Sequence, residues 1–107
     1  MINKDKMLIK PGVYEGVLTD IDKKKAVQSG KDFYQFIFDI DGFTVYTNRV
    51  IEIITCENLL MDLKITSEQW KDYSVLKAME GKRFLLRVGM KTFRGKHYND
   101  VERMRLL

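Results

Sequence analysis

From Phe33 to Ile40 the chain reads FYQFIFDI: the even positions Tyr34, Phe36, Phe38 and Ile40 are apolar or aromatic, while the odd positions are mixed. Period two with aromatic and β-branched content is the pattern of a strand with one face in the core. Asp41-Gly42 supplies a two-residue hairpin turn, and FTVYTNRV (43–50) returns with Phe43 and Val45 toward the core and Thr44, Tyr46 and Asn48 on the other face. Upstream, Pro11-Gly12 closes an N-terminal arm over residues 1–11. The segment 13–27 carries Val13, Leu18 and Ile21 as apolar positions, and Gly16 between them predicts a bulge or bend in a long curved strand. Gln28–Asp32, centred on Gly30, is a turn.

The period then lengthens. Trp70, Tyr73, Leu76 and Met79 recur every third residue, Thr66 and Gln69 have capping-box spacing, and Gly81 stands where a C-cap glycine belongs, so a helix is predicted over 66–79. Leu59, Leu60 and Leu63 mark a separate helical turn, with a break near Ile65. Period two resumes at Phe84, Leu86 and Val88, which alternate with Arg83, Leu85 and Arg87. Arg94-Gly95 forms a second turn. The uneven spacing of Tyr98, Val101, Met104 and Leu106 implies a bulge or a frayed end in the last strand.

The resulting order, β-β-β-α-β-β with one helix between the third and fourth strands, is that of the OB-fold, a five-stranded Greek-key barrel. The expectation is a mainly β, single OB-fold domain over residues 1–107, closed or nearly so, with Trp70 and Leu76 docking the helix on one end. A curled antiparallel sheet of another topology is the competing architecture.

Charge changes the picture more than composition does. Residues 1–81 hold 11 Lys/Arg and 13 Asp/Glu, whereas residues 82–107 hold eight against two, a net of +6 at the end of a chain whose overall charge is +4. Such asymmetry points to an anionic partner, nucleic acid first; cations on a solvated strand face are the other explanation. No apolar run approaches the roughly 18 residues a bilayer span needs. The opening MINKDKMLIK has no signal-peptide apolar core, and Cys56 is the single cysteine, so no membrane association and cytoplasmic residence are expected.

Three stretches carry a resemblance: PGVYEGVLTDID, SGKDFYQFIFDIDGFTVYTNR and GKRFLLRVGMKTFRGKHYNDV. Together, from about Pro11 to Val101, they resemble the small single-stranded-DNA-binding OB proteins of bacteriophages and related mobile elements, in which a bent G-x-Y/F-x-G strand, an x-G-K before an aromatic second strand and a G-K-x-Y/F-N-x-V final hairpin recur. The resemblance implies coating of single-stranded DNA in replication or recombination. The acidic tail by which many members recruit partners has no counterpart in ERMRLL.

Sequence-independent binding of a single strand needs cations along the phosphates and aromatic faces for the bases. The candidate cations are Lys31, Arg49, Arg83, Arg87, Lys91, Arg94 and Lys96, and the candidate stacking aromatics are Phe33, Tyr34, Tyr46, Phe93 and Tyr98. Tyr34 and Tyr46 stay open between stacking and core packing, whereas Phe36, Phe38, Phe43 and Phe84 are assigned to the core. Lys23–Lys25 border the loop between the first two strands. No catalytic site or cofactor is expected: His97 is the only histidine, Cys56 reads as a small buried hydrophobe, and GKRF lacks phosphate-loop spacing. Glu15, Asp20 and Asp22 form a weak acidic set, and metal binding is not expected. The alternatives are a protein-interaction or accessory subunit without nucleic-acid binding, RNA binding on the same scaffold, and self-association into a homo-oligomer.

Overall fold

The computed structural model describes residues 8–52 and 57–107; Cys56 and the first seven residues of the arm lie outside them. The chain is mainly β. Strands β1 (Gly12–Lys25), β2 (Asp32–Ile40), β3 (Phe43–Val50), β4 (Arg83–Phe93) and β5 (Lys96–Leu106) form one antiparallel sheet in the order β3-β2-β1-β4-β5. Three short helices, α1 (Glu57–Leu63), α2 (Ser67–Trp70) and α3 (Tyr73–Lys77), lie between β3 and β4.

β1 organises the sheet. Its first half pairs with β4, its second half with β2, and Val17 pairs both with Asp39 and with Arg83. The expected bulge is present but falls at Thr19, between the Leu18–Phe38 and Asp20–Ile37 pairs, and its hydroxyl bonds the Ile37 carbonyl at 3.0 Å. Gly16 serves close packing instead: a Cβ there would stand 2.8 Å from Leu86 Cδ1, 3.0 Å from Ile40 Cγ1 and 3.1 Å from the Asp39 carbonyl. Both two-residue turns have positive φ at both central residues, 51° and 88° at Asp41-Gly42 and 51° and 75° at Arg94-Gly95, the geometry that matches strand twist in tight hairpins. In β5 the extra residue is Glu102, since Arg87 pairs with Arg103 and Val88 with Val101.

The even face of β2 is buried throughout. It meets Leu18, Ile21, Val45, Phe84, Leu86, Val88, Val101 and Met104 from the other strands. Phe43, expected in this core, is half-buried at the turn. Trp70 and Leu76 dock fully buried against the sheet, as their spacing suggested. Trp70 Nε1 donates to the Ile51 carbonyl at 3.0 Å, and the Tyr34 hydroxyl donates to the Trp70 carbonyl at 2.7 Å.

The single helix expected over 66–79 is two. The Thr66–Gln69 capping box starts α2, but Asp72 then caps a new helix through Ser74 N at 3.0 Å. A short polar side chain that bonds local backbone competes with helix continuation, so the three-residue repeat survives while the helix divides.

No backbone ladder joins β3 to β5, so of the two expected forms, closed or nearly closed, the sheet is not the closed one. Side chains span that seam. The Thr47 hydroxyl donates to the Val101 carbonyl at 3.3 Å and to Asp100 Oδ1 at 3.4 Å, and Arg49 Nη2 donates to the same carbonyl at 2.7 Å. At the far end of the sheet Asn99 holds the arm, its amide giving and taking one bond each with the backbone of Ile9, both at 2.9 Å.

Candidate functional site

Alternation puts a second set of residues on the solvent side of β2 and β3. Register pairs Phe33 with Val50, Gln35 with Asn48, Ile37 with Tyr46 and Asp39 with Thr44; Tyr46 is 51% exposed, and Phe33 and Ile37 are half-buried. β1 extends these rows with Lys24 beside Phe33, Asp22 beside Gln35 and Asp20 beside Ile37. Lys24 Nζ bonds Gln35 Oε1 at 2.8 Å. Lys31, exposed in the preceding turn, adds a cation at the Phe33 end. The face therefore carries two apolar pairs, Phe33–Val50 and Ile37–Tyr46, separated by the polar row of Asp22, Gln35 and Asn48, and it is cationic at the Phe33–Val50 end and acidic toward Asp20 and Asp39.

Tyr34 does not belong to it. The ring lies wholly in the core, edge-on to Trp70 with centroids 4.9 Å apart, and burial raises its phenol pKa above the usual 10.0. It shares the inward parity of Phe36 and Phe38, which removes it as a stacking platform. Arg49 also differs from expectation: it is half-buried and bonded into the seam, through Val101, the Asn48 carbonyl at 3.1 Å and the Thr47 hydroxyl.

The β4–β5 hairpin projects as a polar arm. Lys91 and Tyr98 are register partners, as are Phe93 and Lys96. These four share one face, with Phe93 61% and Tyr98 43% exposed. Arg94 lies over the Phe93 ring, 5.2 Å from its centroid. Asp100 anchors the arm, taking Lys91 Nζ at 2.9 Å on one oxygen and the Thr47 hydroxyl on the other. That carboxylate raises the Lys91 pKa and keeps it a cation.

Arg83 and Arg87 project outward from β4, opposite in parity to Phe84, Leu86 and Val88, as alternation required. Arg83 meets Glu15 at 3.3 Å, both well exposed, a pair of little energetic consequence. Asp20 is held by Lys77 at 3.1 Å, and among the described residues no three acidic, histidine or cysteine side chains come together as a metal site. No described helix is long and apolar enough to cross a membrane.

Beside the β2–β3 face, along the β3–β5 seam, lies a groove of about 490 Å³. Asn48, Val50 and Arg49 line one wall, Arg87, Glu102 and Arg103 the other, and α1 closes an end through Asn58, Leu59 and Asp62. Arg103 is clamped by Asp62 through two bonds of 2.8 and 3.1 Å. Sequence reasoning missed this groove and two of its neighbours, Arg103 and Arg105. Their signal was present, because both alternate with the buried or half-buried Met104 and Leu106. The chain matches no protein-family model, and no curated protein matches it either.

Proposed function

We propose that the chain is a non-catalytic single-stranded-DNA-binding protein built on an OB-type Greek-key barrel. The strand order, the helices between β3 and β4, and the side-chain bonds across the β3–β5 seam support the barrel reading. One observation carries the binding: two pairs of aromatic and apolar side chains, Phe33–Val50 and Ile37–Tyr46, face solvent on β2–β3. Lys24 and Lys31 stand at one end of the face and Lys91, Arg94 and Lys96 on the hairpin arm, while Asp20, Asp22 and Asp39 leave the opposite end acidic. Bases stack on Tyr46 and Phe33 while phosphates meet the lysines and arginines, the two requirements of sequence-tolerant binding. Arg94 adds support, because a left-handed turn position favours Asn, Asp or Gly, and an arginine there is held at φ 51°. With the motif resemblance, the role is coating of single strands in replication or recombination of a phage or mobile element.

The test is a titration of labelled oligo-dT at several salt concentrations. Binding whose log affinity falls with log salt by about 0.7 for each phosphate neutralised and weakens in Tyr46→Ala supports the reading. Salt-independent or absent binding rejects it, and tighter binding to oligo-U of equal length reassigns the face to RNA. The exposed apolar side chains of Met61, Tyr46 and Val50 favour a second reading, a protein-interaction module, which would bind a partner protein and leave oligo-dT untouched.

A further inference from the structure

The outward face of β1, β4 and β5 carries Arg83, Arg87, Arg103 and Arg105 around Val13 and Leu85. Register sets Arg87 directly opposite Arg103, and Arg105 opposite Leu85. Like charges directly opposed across a ladder destabilise a sheet. Here Asp62 offsets Arg103 and Glu15 meets Arg83, while Arg87 and Arg105 are exposed without an ion-pair partner among the described residues. A pocket of about 180 Å³ opens among them, with Val13, 59% exposed, and Leu85 as apolar lining and three arginines around it. A local rule broken on a surface, with an apolar floor under the guanidinium groups of Arg87 and Arg105, fits an anion carrying a planar apolar group.

The seam groove joins this face to β2–β3. It shares Asn48 and Val50 with the stacking face and Arg87 and Arg103 with the arginine face. We infer that a single strand bound on β2–β3 crosses the seam groove and continues over the arginine face, its phosphates on Arg87 and Arg105 and one nucleotide over Val13 and Leu85. The inference rests on the single-strand reading above and extends its footprint.

Two oligo-dT lengths separate the claims: about 6 nucleotides, near the small end of what one such barrel covers, and about 20, beyond the large end. Arg87→Ala/Arg105→Ala should bind the short oligonucleotide as the parent does. On the long one it should bind more weakly at low salt, with a salt slope flatter by about 1.4 for two lost phosphate contacts. Arg87→Lys/Arg105→Lys should keep the parental slope, which also reports an intact fold. Equal losses on both lengths, no loss on the long one, or a lysine variant as impaired as the alanine variant would overturn the extended path while leaving binding on β2–β3 standing. A parent protein that binds neither length removes both readings. Phosphatidylserine vesicles that lose the alanine variant while both oligonucleotides keep it would assign the face to a membrane surface and also overturn the path.

Discussion

Arg49 Nη2 donates to the carbonyl of Val101 at 2.7 Å, across two strands that share no backbone ladder. The guanidinium thus takes up an edge carbonyl that β3 backbone leaves unpaired, and Thr47 donates to the same oxygen. An arginine that sequence reasoning assigns to phosphate is a stitch in the sheet.

Arg49→Ala should therefore lower the unfolding free energy by about 1.5–3 kcal/mol, the range for hydrogen bonds to charged groups. Urea unfolding reads this as a lower midpoint at unchanged slope. A parental midpoint would mean that core packing alone holds β3 against β5.

Trp70→Ala should cost about 3–5 kcal/mol, because the indole is wholly buried and its removal leaves a cavity beneath α2. Tyr34→Phe removes one bond to the Trp70 carbonyl and should cost roughly 1 kcal/mol. Because burial raises the Tyr34 pKa, its contribution is fully present below pH 10.0 and is lost as pH rises through the higher folded-state value. The part of the phenolate absorbance that Tyr34→Phe removes should accordingly rise together with loss of near-ultraviolet dichroism rather than before it.

Acid should weaken the α2–α3 region. The Lys77 hydrogen bond lowers the Asp20 pKa, and the Ser74 bonds lower that of Asp72, both from 3.8. A depressed carboxylate stabilises above its unfolded value and loses that contribution as pH falls through the folded one. Melting temperature should drop below pH 3.8, and Asp72→Asn, which keeps a capping acceptor without the titration, should show a smaller acid loss. An identical acid profile for the variant would exclude Asp72 as a contributor.

Arg94→Asn should stabilise the fold by about 1 kcal/mol, since Asn tolerates the left-handed turn position better than a long side chain. The same variant should bind oligo-dT more weakly and flatten the salt slope by about 0.7. Stabilisation without any loss of binding would remove the turn cation from the interface.

Tyr46→Ala should leave stability within about 0.5 kcal/mol, as expected for an exposed site. Oligo-dT binding should weaken by about 1–3 kcal/mol with the salt slope unchanged, because stacking releases no counterions. A variant that binds as tightly as the parent would move the contact elsewhere.

Local signals alone determined much of this molecule. The period-two face of Tyr34, Phe36, Phe38 and Ile40 identifies both β2 and its buried side, the Thr66–Gln69 box starts α2, and Asp41-Gly42 and Arg94-Gly95 set the hairpins. Each rests on neighbours within four residues, where periodicity and backbone preference are strong. Parity alone could also have assigned Tyr34 to the core and Arg103 and Arg105 to the surface. What tertiary structure decided depends on partners far along the chain. Arg49 meets Val101 because the sheet curls; Glu102 becomes the bulge because β4 sets the register; Gly16 is needed because Leu86 and Ile40 converge on it. The seam groove exists only once β3 and β5 approach. Its walls come from residues about 40 to 55 positions apart, and no local pattern encodes the distance between two strands that never pair.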